Sequence, residues 1–138
     1  MNASDLKGII PPIVTPTDEN EDVDEGGLRK LIDHCIAKGL HGIFIAGTNG
    51  ESLSLTQEQR DRAIGIALSE AKGRVPVLAG VMDSSTRRVI ENIKRVKQMG
   101  GIQQYKVNSV TGPLAPTRAN KGVAKTRDSV YDIFPKKR

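Results

Sequence analysis

Residues 42–59 read Gly42-Ile43-Phe44-Ile45-Ala46-Gly47-Thr48-Asn49-Gly50-Glu51-Ser52-Leu53-Ser54-Leu55-Thr56-Gln57-Glu58-Gln59. Gly42 to Ala46 is a nearly unbroken apolar run, as expected of a strand buried on both faces. The residues after Ala46 are open to two readings. Asn49-Gly50 is a strong hairpin signal and would fold residues 52–55 back against 42–46 as an antiparallel partner. Alternatively, the chain leaves the strand through a glycine-bounded loop and enters a helix at Thr56, where Thr56 and Gln59 have the spacing of a capping box. Ala63, Ile64, Ala67, Leu68 and Ala71 form a stripe of helical period behind that cap, and Gly73 stands as its stop. The capped helix favours strand, loop and helix over the hairpin.

The same unit recurs on either side. Gly8 to Thr15 (GIIPPIVT) and Val75 to Ala79 (VPVLA) are two further short apolar runs. Leu28, Leu31, Ile32, Cys35 and Ile36 make a helical stripe closed by Gly39. Ser85 can cap a third helix that turns Val89, Ile90, Ile93 and Val96 inward and ends at Gly100. Strand centres near Ile10, Ile43 and Val77 lie 33 and 34 residues apart. This is a βα repeat, three units long. Parallel strands joined by helices need right-handed crossovers and a covered sheet, which a doubly wound sheet or a (β/α)8 barrel provides. Eight such units would take about 260 residues, close to the usual barrel length of about 250. The expected fold is therefore α/β: a truncated TIM (β/α)8 barrel, its first three βα units followed by an irregular basic tail.

Charge divides the chain at the same place. The 138 residues carry 21 Lys plus Arg and 16 Asp plus Glu, a net charge of +5. Residues 1–100 hold 13 basic and 14 acidic side chains, whereas residues 101–138 hold 8 and 2. The division predicts an N-terminal part of a barrel over 1–100 and a non-homologous, disordered basic tail over 101–138. A reading-frame shift or a premature end near Gly100 would produce this coincidence of breaks. With the basic excess confined to a segment lacking a scaffold or stacking aromatics, nucleic acid is not an expected partner. No run of 18 apolar residues predicts a membrane span. Neither a leader sequence nor a second cysteine accompanies Cys35, which points to a cytoplasmic setting.

Parallel α/β folds place their chemistry in the loops that come after the strands. Here those loops carry Thr15-Pro16-Thr17, Gly47-Thr48-Asn49-Gly50-Glu51 and Gly80-Val81-Met82. The second carries most information. Its glycines should let the backbone turn sharply and present N–H groups outward, with Thr48 and Asn49 adding side-chain donors. Such a loop suits a carboxylate or a phosphate, although Thr48 stands where a phosphate-binding Walker loop has lysine. His34, His41 and Cys35 lack ligand spacing, so no metal is expected. Cys35 reads as a small core residue. The acidic run Asp18, Glu19, Glu21, Asp22, Asp24 and Glu25 reads as a solvated loop placing favourable charge at a helix start.

Taken together, these residues resemble the dihydrodipicolinate synthase / N-acetylneuraminate lyase family. The likeness rests on Gly42-Ile43-Phe44, Gly47-Thr48, Gly50-Glu51-Ser52 and Gln59, with support from Gly8-Ile9-Ile10-Pro11-Pro12, Thr15-Pro16, Val23-Asp24 and Val75 to Gly80. It covers about residues 6–100 and stops at Gly101. The resemblance implies a class I aldolase-type lyase that binds pyruvate or a related 2-oxo acid as a Schiff base on a barrel lysine, without a cofactor or metal, in a homo-oligomer. By resemblance, Thr48 would be the hydroxyl of a Thr/Tyr proton relay. Asn49 would hold the substrate carboxylate with its backbone N–H, Thr48 would share that role, and Gly47, Gly50 and Glu51 would shape the loop. Asn49 departs from the usual threonine and is similar to the variant loop of 4-hydroxy-2-oxoglutarate and sugar-acid aldolases. The family's Schiff-base lysine lies on a sixth strand, which has no counterpart here. Lys106, beside Tyr105, is a lookalike in polar surroundings that would not lower its pKa. On this reading the chain alone is inactive. The alternative is a non-catalytic barrel fragment that associates with intact family subunits or a complementary fragment.

Overall fold

The computed structural model describes residues 6–99. The expectations for the basic tail, for Lys106 and for a helix end at Gly100 lie outside the described residues.

Among the described residues, three helices and two strands alternate. The first helix, α1, spans Glu25–Ala37. Its N-cap is Asp24, whose carboxylate accepts a hydrogen bond from the Gly27 N–H at 2.9 Å. The acidic run therefore does more than lend charge, since one member satisfies an otherwise orphaned helix donor. Asp18 Oδ1 accepts from the N–H groups of Asn20 and Asp22, which folds the rest of the run onto itself. The helix closes at Lys38, and Gly39 comes next with φ of +79°, a conformation that glycine adopts without strain.

Strand β1 spans Ile43–Ile45 and strand β2 spans Val77–Ala79, both shorter than the apolar runs that contain them. They pair in parallel, with Ile43 beside Val77, Phe44 beside Leu78 and Ile45 beside Ala79. Between them, α2 spans Gln57–Ala71. The parallel pairing rules out the hairpin reading of Asn49-Gly50. Residues 48–54 are turns that lead into α2, not a returning strand. The capping box is present in both directions: the Gln59 N–H donates to Thr56 Oγ1, and the Thr56 N–H donates to Gln59 Oε1.

The run from Gly8 to Thr15 is extended without forming a regular strand. Its Ile9 and Pro11 carbonyls accept from His41 and Phe44, and the Ile13 N–H donates to the Phe44 carbonyl at 2.9 Å. It thus lies beside β1, with Pro12 bridged in parallel to Phe44. Pro11 faces β1 but has no N–H to donate, so the ladder cannot continue toward Ile9, and the predicted first strand is reduced to a bridge.

The third helix, α3, spans Thr86–Gln98 and is capped by the Ser85 hydroxyl, as the sequence suggests. Leu28, Ile32 and Cys35 of α1, Ala63, Ile64 and Ala67 of α2, and Val89, Ile93 and Val96 of α3 join Ile43, Ile45, Val77 and Ala79 in one buried cluster. Alternation along the strands then turns Phe44 and Leu78 to the opposite face. Burial holds the Cys35 thiol above its ordinary pKa, in keeping with a core residue. Ile90 is only partly buried. No helix among the described residues is long and apolar enough to cross a membrane.

Candidate active site

The loop after β1 is built differently from the expectation, in which Gly47 and Gly50 supply the sharp turn. The residues with positive φ are Ala46 and Glu51, both at +53°. Left-handed backbone at a non-glycine residue costs roughly 1–2 kcal/mol, and such outliers gather at functional loops. The glycines are needed for space instead. A Cβ at Gly47 would fall 2.6 Å from Phe44 Cε1, and one at Gly50 would crowd the Ile13 carbonyl and Thr15 Oγ1 at 3.1 Å. The ring of Phe44 therefore lies against the loop base on the face away from the helices. The hydroxyl of Thr15, from the loop after the extended segment, donates to the Gly50 carbonyl at 2.9 Å.

These contacts decide which donors the loop spends on itself. The Glu51 N–H donates to the Thr48 carbonyl at 3.0 Å, and the Ser52 N–H donates to the Gly47 carbonyl at 3.3 Å. Among the described residues, nothing accepts from the N–H groups of Thr48, Asn49 or Gly50. Thr48 and Asn49 are exposed, while Gly47 and Gly50 are buried beneath them. The exposed Thr48 and Asn49, whose N–H groups no described residue uses, carry a hydroxyl and a carboxamide beside them and suit an anion with several acceptor oxygens. The left-handed backbone of this loop falls on Ala46 and Glu51 rather than on its glycines. The Glu51 side chain is exposed, while its backbone takes the left-handed conformation.

Two groups beside this loop are not evident from the sequence. Gly80, just past β2, lies flat against Ala46 and Gly47: its N–H donates to the Ile45 carbonyl at 2.8 Å, and a Cβ there would overlap the Ala46 carbonyl oxygen. Arg60, in the first turn of α2, is buried. Its Nη2 donates to the Ser52 carbonyl at 2.6 Å and its Nη1 to the Met82 carbonyl at 3.3 Å. Asp83 Oδ2 stands 3.8 Å from the same Nη1. Burial works to raise the Asp83 pKa, but hydrogen bonds from Ser84 and the charges of Arg88 and Arg60 outweigh it and hold the carboxyl below its usual range. Arg60 falls three and four residues before Ala63 and Ile64. A cation at that point of an apolar stripe was the available signal.

The other candidates stay apart from the loop. His41 Nδ1 accepts from the Ile9 N–H at 3.1 Å, at the opposite end of the extended segment. His34 and Cys35 lie on α1, where Cys35 is buried and His34 exposed. Arg29 pairs with Glu70 and Arg62 with Asp22, which ties α1 and the loop before it to α2, and Arg74, just past α2, pairs with Asp33 of α1.

The sequence profile of the Dihydrodipicolinate synthetase family matches residues 5–108. The match runs past Gly101, where the resemblance is expected to stop. The 4-hydroxy-tetrahydrodipicolinate synthase of Phenylobacterium zucineum is 40% identical over 95 residues, covering 69% of this chain and 32% of the relative. The chain thus spans about a third of the length of such curated relatives. Among solved structures, dihydrodipicolinate synthase from Bacteroides thetaiotaomicron superposes with a TM-score of 0.67 at 40% identity, over 73% of this chain and 34% of that one. YagE, a prophage protein of the dihydrodipicolinic acid synthase family from E. coli K12 solved in complex with pyruvate, gives 0.76 at 30% identity, over 92% and 41%. Such neighbours are TIM-barrel proteins, whose parallel α/β architecture this chain shares. With the glycine-bounded loop, the capped α2 and the parallel β1–β2 pair all in place, the profile match over most of its length makes this chain a member of the dihydrodipicolinate synthetase family.

Proposed function

We propose that the chain supplies the carboxylate seat and one relay hydroxyl of a lyase that binds pyruvate or a related 2-oxo acid as a Schiff base. The observation that carries this reading is the set of three N–H groups at Thr48, Asn49 and Gly50 that no described residue uses. A 2-oxo acid presents a carboxylate next to its carbonyl. The N–H groups and the Asn49 carboxamide bind the carboxylate, and the Thr48 hydroxyl is placed to pass a proton to or from the adjoining carbonyl region. Glu51 and the two glycines hold that loop in shape. The imine itself needs an amine whose pKa is lowered by an apolar pocket. On this proposal no lysine among the described residues fills that role, and the chain contributes three βα units of a barrel without forming the imine alone.

Titration of the 15N-labelled full chain with pyruvate is expected to move the amide signals of Thr48, Asn49 and Gly50. Asn49→Ala should weaken that binding by about tenfold, the worth of one or two charge-assisted hydrogen bonds. Borohydride treatment with labelled pyruvate should leave no adduct on the chain. Unmoved loop amides would refute the seat, and a stable adduct would refute the claim that this chain lacks the nucleophile.

A second reading is favoured by exposed apolar residues. Ile9, Val14 and Leu53 are 64%, 55% and 71% exposed. On this reading the chain is a barrel fragment that associates with a copy of itself or with other barrel subunits.

A further inference from the structure

We propose that Arg60 is a positioning residue for the carboxylate seat, clamping the loop after β1 to the loop after β2. The inference rests on the reading of residues 47–52 as that seat.

A guanidinium stays charged wherever it is placed, so burying one is costly unless its donors are used. Arg60 uses its fork on two backbone carbonyls from different loops, Ser52 at 2.6 Å and Met82 at 3.3 Å, with Asp83 as counter-charge at 3.8 Å. The planarity of the fork fixes the two carbonyls relative to each other as well as to α2. Ser52 is the residue whose N–H closes the turn onto the Gly47 carbonyl, so holding Ser52 holds the base on which Thr48, Asn49 and Gly50 stand. The second attachment is the close backbone contact of Gly80 with Ala46 and Gly47. One contact alone would leave the loops free to swing about it, and the two together do not.

Stability alone does not explain this choice. Arg60 Nε and Ser52 Oγ are buried without a hydrogen-bond partner among the described residues, so the arrangement carries a polar cost that packing alone does not require. Replacing a whole buried ion pair by apolar side chains is often neutral or stabilising, whereas removing one partner alone leaves the other uncompensated. What an apolar residue could not provide is the fixed spacing between the two loops.

The test is native-state hydrogen exchange on the full chain, comparing Arg60→Met and Arg60→Lys with the unsubstituted protein. In Arg60→Met, the amides of Ser52, Ser54 and Gly80 should exchange at least about tenfold faster, while those of Ile32 and Cys35 in α1 change by less than about twofold. Arg60→Lys keeps the charge but lacks the fork, so its loop amides should fall between the two. If Arg60→Met does not fold, the lysine variant decides by the same comparison of loop with α1. Equal acceleration in loop and helix would make Arg60 merely a stabilising residue and overturn the proposal, as would unchanged loop amides. Pyruvate should also bind Arg60→Met about tenfold more weakly at an unchanged α1 spectrum. If the unsubstituted chain shows no pyruvate-induced shifts, the seat is refuted, and the exchange comparison still decides whether Arg60 clamps the loops.

Discussion

Gly80 and Gly65 are both glycines in a βα repeat, yet the structure asks opposite things of them. A Cβ at Gly80 would overlap the Ala46 carbonyl oxygen, a backbone atom that cannot swing aside. Gly80→Ala should therefore destabilise the chain by about 3 kcal/mol or more, because the β1–β2 backbone contact must open. Gly65 lies inside α2 with no atom within 4 Å of where its Cβ would be. Gly65→Ala should stabilise by roughly 0.5–1 kcal/mol, the difference in helix propensity. Urea denaturation of the two variants checks both signs, and a tolerated alanine at position 80 would mean that the loop base is looser than its close contacts imply. Neither role was legible in the sequence. Composition shows that a glycine is present but not whether turning or closeness demands it. Gly47 and Gly50 illustrate the same limit: they suggest a sharp turn, while the left-handed backbone falls on Ala46 and Glu51.

At the scale of elements, the sequence was most readable where local chemistry acts alone. Capping depends on a side chain and an N–H three residues away, so Thr56 with Gln59 and the hydroxyl of Ser85 could be found by spacing. Thr56→Ala should cost about 1 kcal/mol of stability by removing the acceptor for the Gln59 N–H. The loss should show first in α2, as faster amide exchange in its opening turn, with α1 unaffected. Gln59 also donates from Nε2 to the Glu21 carbonyl at 2.8 Å, so Gln59→Ala should loosen the acidic loop as well as the cap. Equal exchange in the first turn of α2 before and after Thr56→Ala would show that tertiary packing alone holds that helix end. Pairing between elements was harder to read. Gly8 to Thr15 has the composition of a strand, but Pro11 and Pro12 remove two donors, and the segment lies against β1 with only a bridge. The prolines were visible in the sequence. Their effect depends on which edge faces β1, which only the assembled sheet shows.

The described residues join a well-buried side to an incompletely covered one. Helices α1, α2 and α3 share one cluster with alternate residues of β1 and β2, whereas Ile9, Val14 and Leu53 remain largely in water. Val14 precedes Thr15, whose hydroxyl binds the Gly50 carbonyl, and Leu53 closes the same loop, so two of the three lie at the candidate site's end of the sheet. Isolated exposed apolar residues are ordinary, but three large ones on so small a folded part favour association. In family relatives about three times as long as the matched part, two thirds of the chain lies outside it. The full chain should therefore self-associate, its light-scattering mass rising with concentration and its thermal midpoint rising in step by mass action. The double variant Ile9→Lys with Leu53→Lys should shift the mass toward monomer at the same concentration while keeping the helical circular dichroism. Screening by salt separates this apolar association from one driven by the positive charge of residues 101–138. Added salt should leave the first unchanged or strengthen it, and should weaken the second. A concentration-independent monomer with a cooperative melt would show that the buried cluster suffices by itself, leaving Ile9, Val14 and Leu53 as surface residues without a partner.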